Sequence, residues 1–364
     1  MALNRLFIKG LKLNEDYAHH VVKPLIDRHY PSLNYALGLI GYGSDVLGFD
    51  TEISMDHNWG PRLILFLEEY QYYELREELD ELLRLQLPVV FQGFPTNFTH
   101  PSTDSTQRME AIDKNPVNHL IQITTVRRFV ENSIGFDVNC ELTIKDWLYF
   151  SEQGLLELTE GKIFFDSLGT ITQIRSTLST FPKDILRIKL ASLWDMISNE
   201  EAFIGRCVDI GDDIGLRLIT ARIVNILMKI CYYLEERYIP YSKWFGSGFD
   251  RLLIGKEIKA SLMSCLTMKE AEKIQLSLAD MYSRIVSYQN SKSLTESIDS
   301  NVQYYYSRPY TVIFANRIVD ALVDSIEDQE IKMCDYRLIG LEQKVDGMDF
   351  TTQSKLLKSI LEIQ

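Results

Sequence analysis

Apolar positions in the first third of the chain follow two different periods. Four short apolar runs have the length of buried strands: 34–41, 62–67, 88–94 and 119–124. Residues 72–85 ("YYELREELDELLRL") instead place leucines on one helical face, which predicts an amphipathic helix. Helices are also predicted at 13–29 and 125–135, and the polar stretch 95–107 predicts a loop. Strands interleaved with helices indicate a sheet with at least one covered face.

From about residue 145 the pattern becomes almost entirely helical. Four apolar stretches have the helical period: 183–198, 212–238, 267–290 and 307–328. The stretch 212–238 is apolar on more than one face, which predicts the central helix of a bundle. The sequence therefore predicts an α+β protein, with a mixed α/β sheet domain at 1–145 and an all-helical domain at 146–364.

Composition narrows the class of protein. Hydrophobic residues make up 46% of the chain and charged residues 24%, which is typical of a globular protein with a sizeable core. The net charge of −13 argues against a long nucleic acid as partner, because binding its backbone needs clustered Lys and Arg. The five cysteines are widely spaced, so we expect reduced thiols and a cytoplasmic location. No apolar run has the length of a membrane span, so no membrane association is expected.

A glycine-rich turn, "GYGSD", follows the first predicted strand. Gly41 and Gly43 allow a sharp turn that brings backbone N–H groups close to a ligand, and Ser44 adds a hydroxyl. Asp56 lies shortly before the strand at 62–67, and Mg²⁺ binds one or two carboxylates together with phosphate oxygens. These residues predict a nucleotide-phosphate site. The same residue types are common in ordinary turns, so both interpretations stay open at this point.

Three widespread motifs are absent from the sequence. The run Gly41-x-Gly43-x-x-Val46 lacks the third glycine of a dinucleotide-binding fingerprint. The chain contains no G-x-x-x-x-G-K-[ST] sequence, which excludes a P-loop. It contains no G-x-S-x-G sequence either, so a hydrolase nucleophile elbow is unsupported.

The glycine turn and the later run "DHNWGPR" together resemble the Gly-Ser…Asp-x-Asp signature of the polymerase-beta-like nucleotidyltransferase superfamily. More closely, they resemble an uncharacterised family of that superfamily, a domain of unknown function, whose hallmark is Gly-Ser…Asp-His-Asp-Trp-Gly-Pro-Arg. The resemblance continues through four later segments: 146–148, 157–169, 193–215 and 237–246. It implies a nucleotidyltransferase-like fold for the first domain.

The resemblance also implies roles for individual residues. Gly43 and Ser44 would hold triphosphate oxygens, and Asp56 would be a catalytic ligand of Mg²⁺. Asn58 occupies the position of the second catalytic ligand, where the family has an aspartate. An asparagine offers a carbonyl oxygen but no charge, so we expect weaker Mg²⁺ binding. Gln122 aligns with the usual third carboxylate and is also neutral.

Two cations and three nearby acids complete the candidate site. Arg62 and Lys243 are candidate phosphate ligands, Lys243 mainly because of the resemblance; each has an equally simple structural explanation. The nearby acids Asp45, Asp50 and Glu52 could replace the missing carboxylates.

Two functions follow from this reading. The first is a Mg²⁺-dependent nucleotidyltransferase, which moves a nucleotidyl group from a nucleoside triphosphate, with ATP expected, to an unknown small-molecule or protein acceptor. The second is a catalytically impaired protein of the same fold that binds a nucleotide and regulates. Convergence of two or more carboxylates on the turn at Gly43 and Ser44 favours the enzyme, whereas an isolated Asp56 favours the binding protein.

Overall fold

The computed structural model describes residues 7–103, 105–345, 354 and 358. These residues form two compact units. The first unit contains the described residues up to 142 together with 154–179, and the second contains 143–153 and the described residues from 180 onward. The chain therefore passes between the units more than once, whereas the sequence predicted a single boundary after residue 145.

Among the described residues, the first unit combines a four-stranded sheet and a two-stranded sheet with six α-helices, a π-helical segment and a 3-10 helix. Its elements are α1 (Gly10–Tyr17), a π-helical segment (Ala18–Val22), α2 (Lys23–His29), β1 (Tyr35–Leu39), a 3-10 helix (Glu52–Asp56), β2 (Arg62–Leu67), α3 (Glu69–Gln86), β3 (Val90–Phe91), β4 (Phe94–Pro95), β5 (Leu120–Thr125), α4 (Val126–Ile134), α5 (Glu152–Thr159), which begins in the second unit, β6 (Lys162–Asp166) and α6 (Thr170–Thr177). The predicted strands at 34–41, 62–67 and 119–124 and the predicted helices at 72–85 and 125–135 are confirmed.

The main sheet has the strand order β5-β2-β1-β6. Strands β2 and β5 run parallel, and β1 is antiparallel to both β2 and β6. On one face, alternate β2 side chains pack into a core with α3: Leu63, Leu65 and Leu67. Because β1 ends where the antiparallel β2 begins, and Arg62 pairs with Leu120 at the start of β5, these three strand ends share one edge.

Strand β6 was not predicted, because the sequence indicated only helices after residue 145. It pairs with β1 through Leu37 and Phe165 and through Ala36 and Asp166. Its apolar run, 163–165, is only three residues long, shorter than the runs that identified the other strands, and all five residues of the strand are at least partly exposed. Only the long-range pairing with β1 defines this strand.

The run 88–94 was predicted as one strand but forms a tight hairpin. Val90 and Phe91 pair with Phe94 and Pro95 in a separate two-stranded sheet. The hairpin turn consists of Gln92 and Gly93, and both have positive φ angles, of 46° and 84°. Such angles at both turn positions match the twist of a two-residue hairpin, which ends the strand early.

The second unit is mainly helical. Its elements are a 3-10 helix (Ile144–Leu148), α7 (Lys183–Glu200), α8 (Phe203–Ile210), α9 (Asp213–Leu234), α10 (Ser242–Phe249), α11 (Leu253–Thr267), α12 (Ala271–Ser291), β7 (Gln303–Tyr304), β8 (Thr311–Val312), α13 (Ala315–Asp324), α14 (Gln329–Lys332), a 3-10 helix (Tyr336–Leu338) and α15 (Leu341–Lys344). Helix α9 contributes thirteen buried residues and lies in the core, as its apolar pattern predicts. The helix predicted from 307 begins only at Ala315, because Thr311 and Val312 pair with β7.

A buried ion cluster links distant parts of the second unit. The Lys189 ammonium lies 3.0 Å from a Glu152 carboxylate oxygen and 2.9 Å from a Glu342 carboxylate oxygen. The other Glu152 oxygen accepts a hydrogen bond from the Ile239 backbone N–H at 2.9 Å. The side chains of all three charged residues are at most 4% exposed. Mutual pairing offsets the desolvation cost of these charges.

Within the described part of the chain, none of the helices combines the length and the apolar character needed to cross a bilayer.

Candidate functional site

The glycine turn after β1 lies at the edge where β1 ends and β2 and β5 begin. Gly41 and Gly43 have φ angles of 88° and 128°, which side chains rarely adopt. The Gly41 N–H donates to the Glu157 carbonyl at 2.7 Å, which anchors the turn to α5. A Cβ atom at Gly43 would collide with the Asp45 carboxylate and the Arg62 guanidinium. Both glycines are therefore required by the backbone itself.

The Ser44 backbone closes the turn, and its side chain remains available. The Ser44 carbonyl accepts hydrogen bonds from the N–H groups of Phe49, at 2.7 Å, and Asp50, at 3.0 Å. Among the described residues, the Ser44 hydroxyl has no hydrogen-bond partner, and the residue is half-buried. A fixed backbone carrying an unused hydroxyl is suited to bind an anionic oxygen.

Arg62 and Asp45 form a buried ion pair beneath this turn. The guanidinium donates to the carboxylate through Nε at 3.1 Å and through Nη2 at 2.7 Å, and the residues are 5% and 1% exposed. Burial alone would lower the pKa of Arg62. The charge and hydrogen bonds of Asp45, together with the effect of Tyr42, outweigh burial, so the pKa of Arg62 lies above its usual value. Arg62 Nη2 also donates to the Tyr42 carbonyl at 2.7 Å. The pair therefore fixes the turn, while phosphate binding by Arg62 remains a prediction.

Asp50 is also occupied by internal partners. Its carboxylate accepts hydrogen bonds from the Gly10 N–H at 2.7 Å and from Trp59 Nε1 at 3.3 Å, and it lies 3.2 Å from the Lys9 ammonium. Asp50 therefore anchors α1 and Trp59. Glu52, the third acid considered as a substitute ligand, is an exposed residue of the 3-10 helix.

Asp56 ends the 3-10 helix and pairs with its own neighbour. Its Oδ2 lies 2.9 Å from His57 Nδ1, and the two side chains are 61% and 46% exposed. Partial burial raises the pKa of Asp56, but the hydrogen bonds and charge of His57 outweigh it, so the pKa lies below its usual range. Asp56 is therefore an exposed carboxylate that is ionised near neutral pH.

Asn58 is held by the loop that precedes β5. Its Oδ1 accepts a hydrogen bond from the Gln107 N–H at 2.8 Å, and its own N–H donates to the Gln107 carbonyl at 2.7 Å. Its φ angle of 47° is in the left-handed region, which asparagine tolerates better than most residues. The amide oxygen that would ligate a metal is therefore engaged in a structural contact.

The residues present do not fit the two-carboxylate Mg²⁺ site that the motif resemblance implies. Asp56 supplies one exposed carboxylate, and Asn58 supplies a neutral oxygen that already accepts a hydrogen bond. Asp45 and Asp50 are paired with internal donors. Over the residues that the structure describes, no group of three or more His, Cys, Asp or Glu side chains is placed to hold a metal ion.

A cavity of about 150 Å³ lies beside the glycine turn. Its lining includes the end of β1 with Gly41 and Tyr42, the start of β2 with Arg62, and Gln122 and Phe129 from β5 and α4. Gln122, at the predicted position of the third carboxylate, is exposed on β5 and pairs with Ile64 in the sheet. The cavity combines apolar walls with the buried guanidinium of Arg62, the imidazole of His119 and the amide of Gln122, as ligand sites commonly combine apolar walls with a few polar groups.

Of the other predicted phosphate ligands, Lys243 belongs to the second unit. It lies in the first turn of α10, and its ammonium is 4.9 Å from the centre of the Trp244 ring. Sequence reasoning missed Tyr42, which lines the cavity, and Asn14, whose Oδ1 accepts a hydrogen bond from the Arg62 N–H at 2.7 Å. The position of Tyr42 between two glycines was the available signal. Asn14 offered none, because its contact joins residues far apart in the chain.

Comparison with known proteins supports the resemblance in part. A family model described as a domain of unknown function, DUF4037, matches residues 147–245. The chain is also similar to a nucleotidyltransferase-like protein from Exiguobacterium sibiricum 255-15, with 11% identity over 86% of this chain and 89% of that chain and a TM-score of 0.30. No curated protein matches the chain. The matched family segment lies outside the run from Gly43 to Arg62, so the roles of those residues remain predictions.

Proposed function

We propose that this chain is a nucleotide-binding protein that holds phosphates at the glycine turn after β1 and has impaired nucleotidyl-transfer chemistry. The observation that carries the proposal is the geometry of this turn. Gly41 and Gly43 have positive φ angles, the Ser44 hydroxyl has no partner among the described residues, and a cavity adjoins the turn. Backbone turns of this kind form concave sites for anions.

Impaired transfer follows from the acids around the turn. In-line transfer of a nucleotidyl group depends on metal ions that neutralise the phosphates. The Asn58 amide oxygen accepts a hydrogen bond from Gln107, and Asp45 is neutralised by Arg62. The arrangement therefore supports nucleotide binding that does not require Mg²⁺, in a protein that senses or regulates.

A Mg²⁺-dependent nucleotidyltransferase acting on a small-molecule or protein acceptor is the second candidate. The exposed, ionised carboxylate of Asp56 is the observation that favours it. The two candidates differ in whether nucleotide binding depends on Asp56: the transferase requires this carboxylate, and the binding protein does not.

The test is calorimetric titration of ATP, GTP, CTP and UTP, with and without Mg²⁺, into the purified full chain and its variants. We expect Ser44→Ala to weaken nucleotide binding about tenfold, because a hydrogen bond to a charged phosphate is lost. Ser32→Ala is the matched control, since Ser32 is exposed in the same unit. Asp56→Ala should leave the affinity unchanged in both buffers.

Each alternative result has a defined meaning. Binding that requires Mg²⁺ and is lost in Asp56→Ala would favour the transferase and justify a screen for acceptors. Equal binding to the wild type and Ser44→Ala would place the ligand elsewhere. If none of the four nucleotides binds, both candidate functions are wrong.

A further inference from the structure

Tyr42 is the exposed aromatic residue of the glycine turn. It lies between Gly41 and Gly43, is 52% exposed, and contributes to the lining of the adjoining cavity. Other tyrosines of the first unit, such as Tyr17 and Tyr35, are instead almost completely buried in its core. An exposed ring beside a cavity is available to a ligand.

The ring of Tyr42 rests on a rigid cation. The Arg62 guanidinium carbon lies 4.9 Å from the centre of the ring, in a cation–π contact. Arg62 cannot easily move, because Asp45 holds it through two hydrogen bonds and the Tyr42 carbonyl accepts a third. The ring is therefore supported by the same ion pair that fixes the turn, which reduces the entropy that a ligand would lose in ordering it.

No second aromatic ring packs on Tyr42 among the residues that the structure describes. The exposed part of the ring is therefore free to receive a planar group. An aromatic side chain stacks on any nucleobase, because every base has a π face, and this contact strengthens binding substantially. A ligand that carried phosphates but no planar group would gain nothing from it.

We propose that Tyr42 is a stacking surface for the base of the bound nucleotide, so that the ligand is a nucleoside phosphate and not a simple phosphate or phosphorylated sugar. This inference rests on the proposed function and adds the part of the ligand that the turn does not contact. Stacking tolerates different bases, and its strength grows with the area of the base. We therefore expect all four nucleotides to bind, with ATP and GTP tighter than CTP and UTP.

The test compares ATP with inorganic tripolyphosphate, which has the phosphates but no base, in calorimetric titrations of the full chain. Tyr42→Ala should weaken ATP binding about tenfold or more and leave tripolyphosphate binding unchanged. Tyr42→Phe keeps the ring and should retain ATP affinity within about threefold of the wild type. Tyr70→Ala is the matched control, because Tyr70 is 58% exposed on α3 of the same unit.

Three results would overturn the inference. Equal ATP affinity in the wild type and Tyr42→Ala would show that the base does not use the ring. An equal loss for ATP and tripolyphosphate would show that the ring only supports the turn. If the wild type binds tripolyphosphate and ATP equally well, the turn binds phosphate and the base makes no contact. Failure of the wild type to bind either ligand would instead reject the proposed function itself, and the stacking role with it.

Discussion

At the scale of single residues, Arg62 shows how a residue predicted to bind phosphate can serve the fold. Its guanidinium is surrounded by Asp45, the Tyr42 carbonyl and the Tyr42 ring, and its N–H is held by Asn14. The sequence identified the turn as a candidate phosphate site, and that assignment stays a prediction. It could not identify Asp45 as the partner of Arg62, because three acids lie nearby and only the folded chain selects one. Likewise, nothing near Asn58 in the sequence indicated its pairing with Gln107.

Replacement of Arg62 by methionine should destabilise the protein strongly. The substitution leaves the Asp45 carboxylate buried without its cation, which typically costs about 3–5 kcal/mol. Denaturant unfolding followed by circular dichroism measures the change. The double variant Arg62→Met with Asp45→Asn should recover part of the loss, because no buried charge then remains unpaired.

An exposed ion pair provides the comparison for this experiment. Arg127 and Asp137 form a bidentate pair whose side chains are 43% and 30% exposed. Arg127→Met should change stability little, since water replaces the lost partner. If Arg62→Met were no more destabilising than Arg127→Met, the buried pair would not support the turn as described.

At the scale of elements, local periodicity identified the strands and helices whose buried positions repeat regularly. Strand β2 and helix α3 are examples, because one is buried along its whole length and the other carries a leucine face. Strand β6 and the extended stretch before α13 were missed. Both owe their form to pairing with a distant or neighbouring strand, which a local pattern does not encode.

Gly38→Ala should test the pairing of β6 with β1. A Cβ atom at this position would lie 2.6 Å from the Ile163 side chain and 2.9 Å from the Lys162 carbonyl. Relief of this overlap requires movement of β6, so we expect a loss of about 1–3 kcal/mol in denaturant unfolding. Gly246→Ala is the matched control. A Cβ there meets nothing within 4 Å, and alanine favours the helix.

At the scale of the whole molecule, Asp184 connects parts of the second unit that are far apart in sequence. Its Oδ2 accepts hydrogen bonds from the N–H groups of Glu327, at 3.1 Å, and Asp328, at 2.8 Å, and Oδ1 accepts one from Arg187 at 2.8 Å. Burial alone would raise the pKa of Asp184. These hydrogen bonds have the larger combined effect, so the pKa of Asp184 lies below its usual value. The ionised form therefore stabilises the fold.

Asp184→Asn should make the free energy of unfolding less dependent on pH in the acidic range. A lowered pKa in the folded state contributes stability that is present above the unfolded value of 3.8 and is lost as the pH falls through the folded value. We expect the variant to be about 1–3 kcal/mol less stable at pH 7. The difference should vanish at the acid end of a series of unfolding curves. Asp320→Asn, at an exposed position inside α13 of the same unit, is the matched control and should differ little from the wild type.

The pairing of Lys189 with Glu342 has a consequence for the order in which the chain folds during synthesis. The two residues are 153 positions apart, whereas residues 154–179, which complete the first unit, are made much earlier. A nascent chain can therefore finish the first unit while Lys189 still lacks one of its two carboxylates. The buried ion cluster of the helical unit can therefore be completed only after Glu342 has left the ribosome.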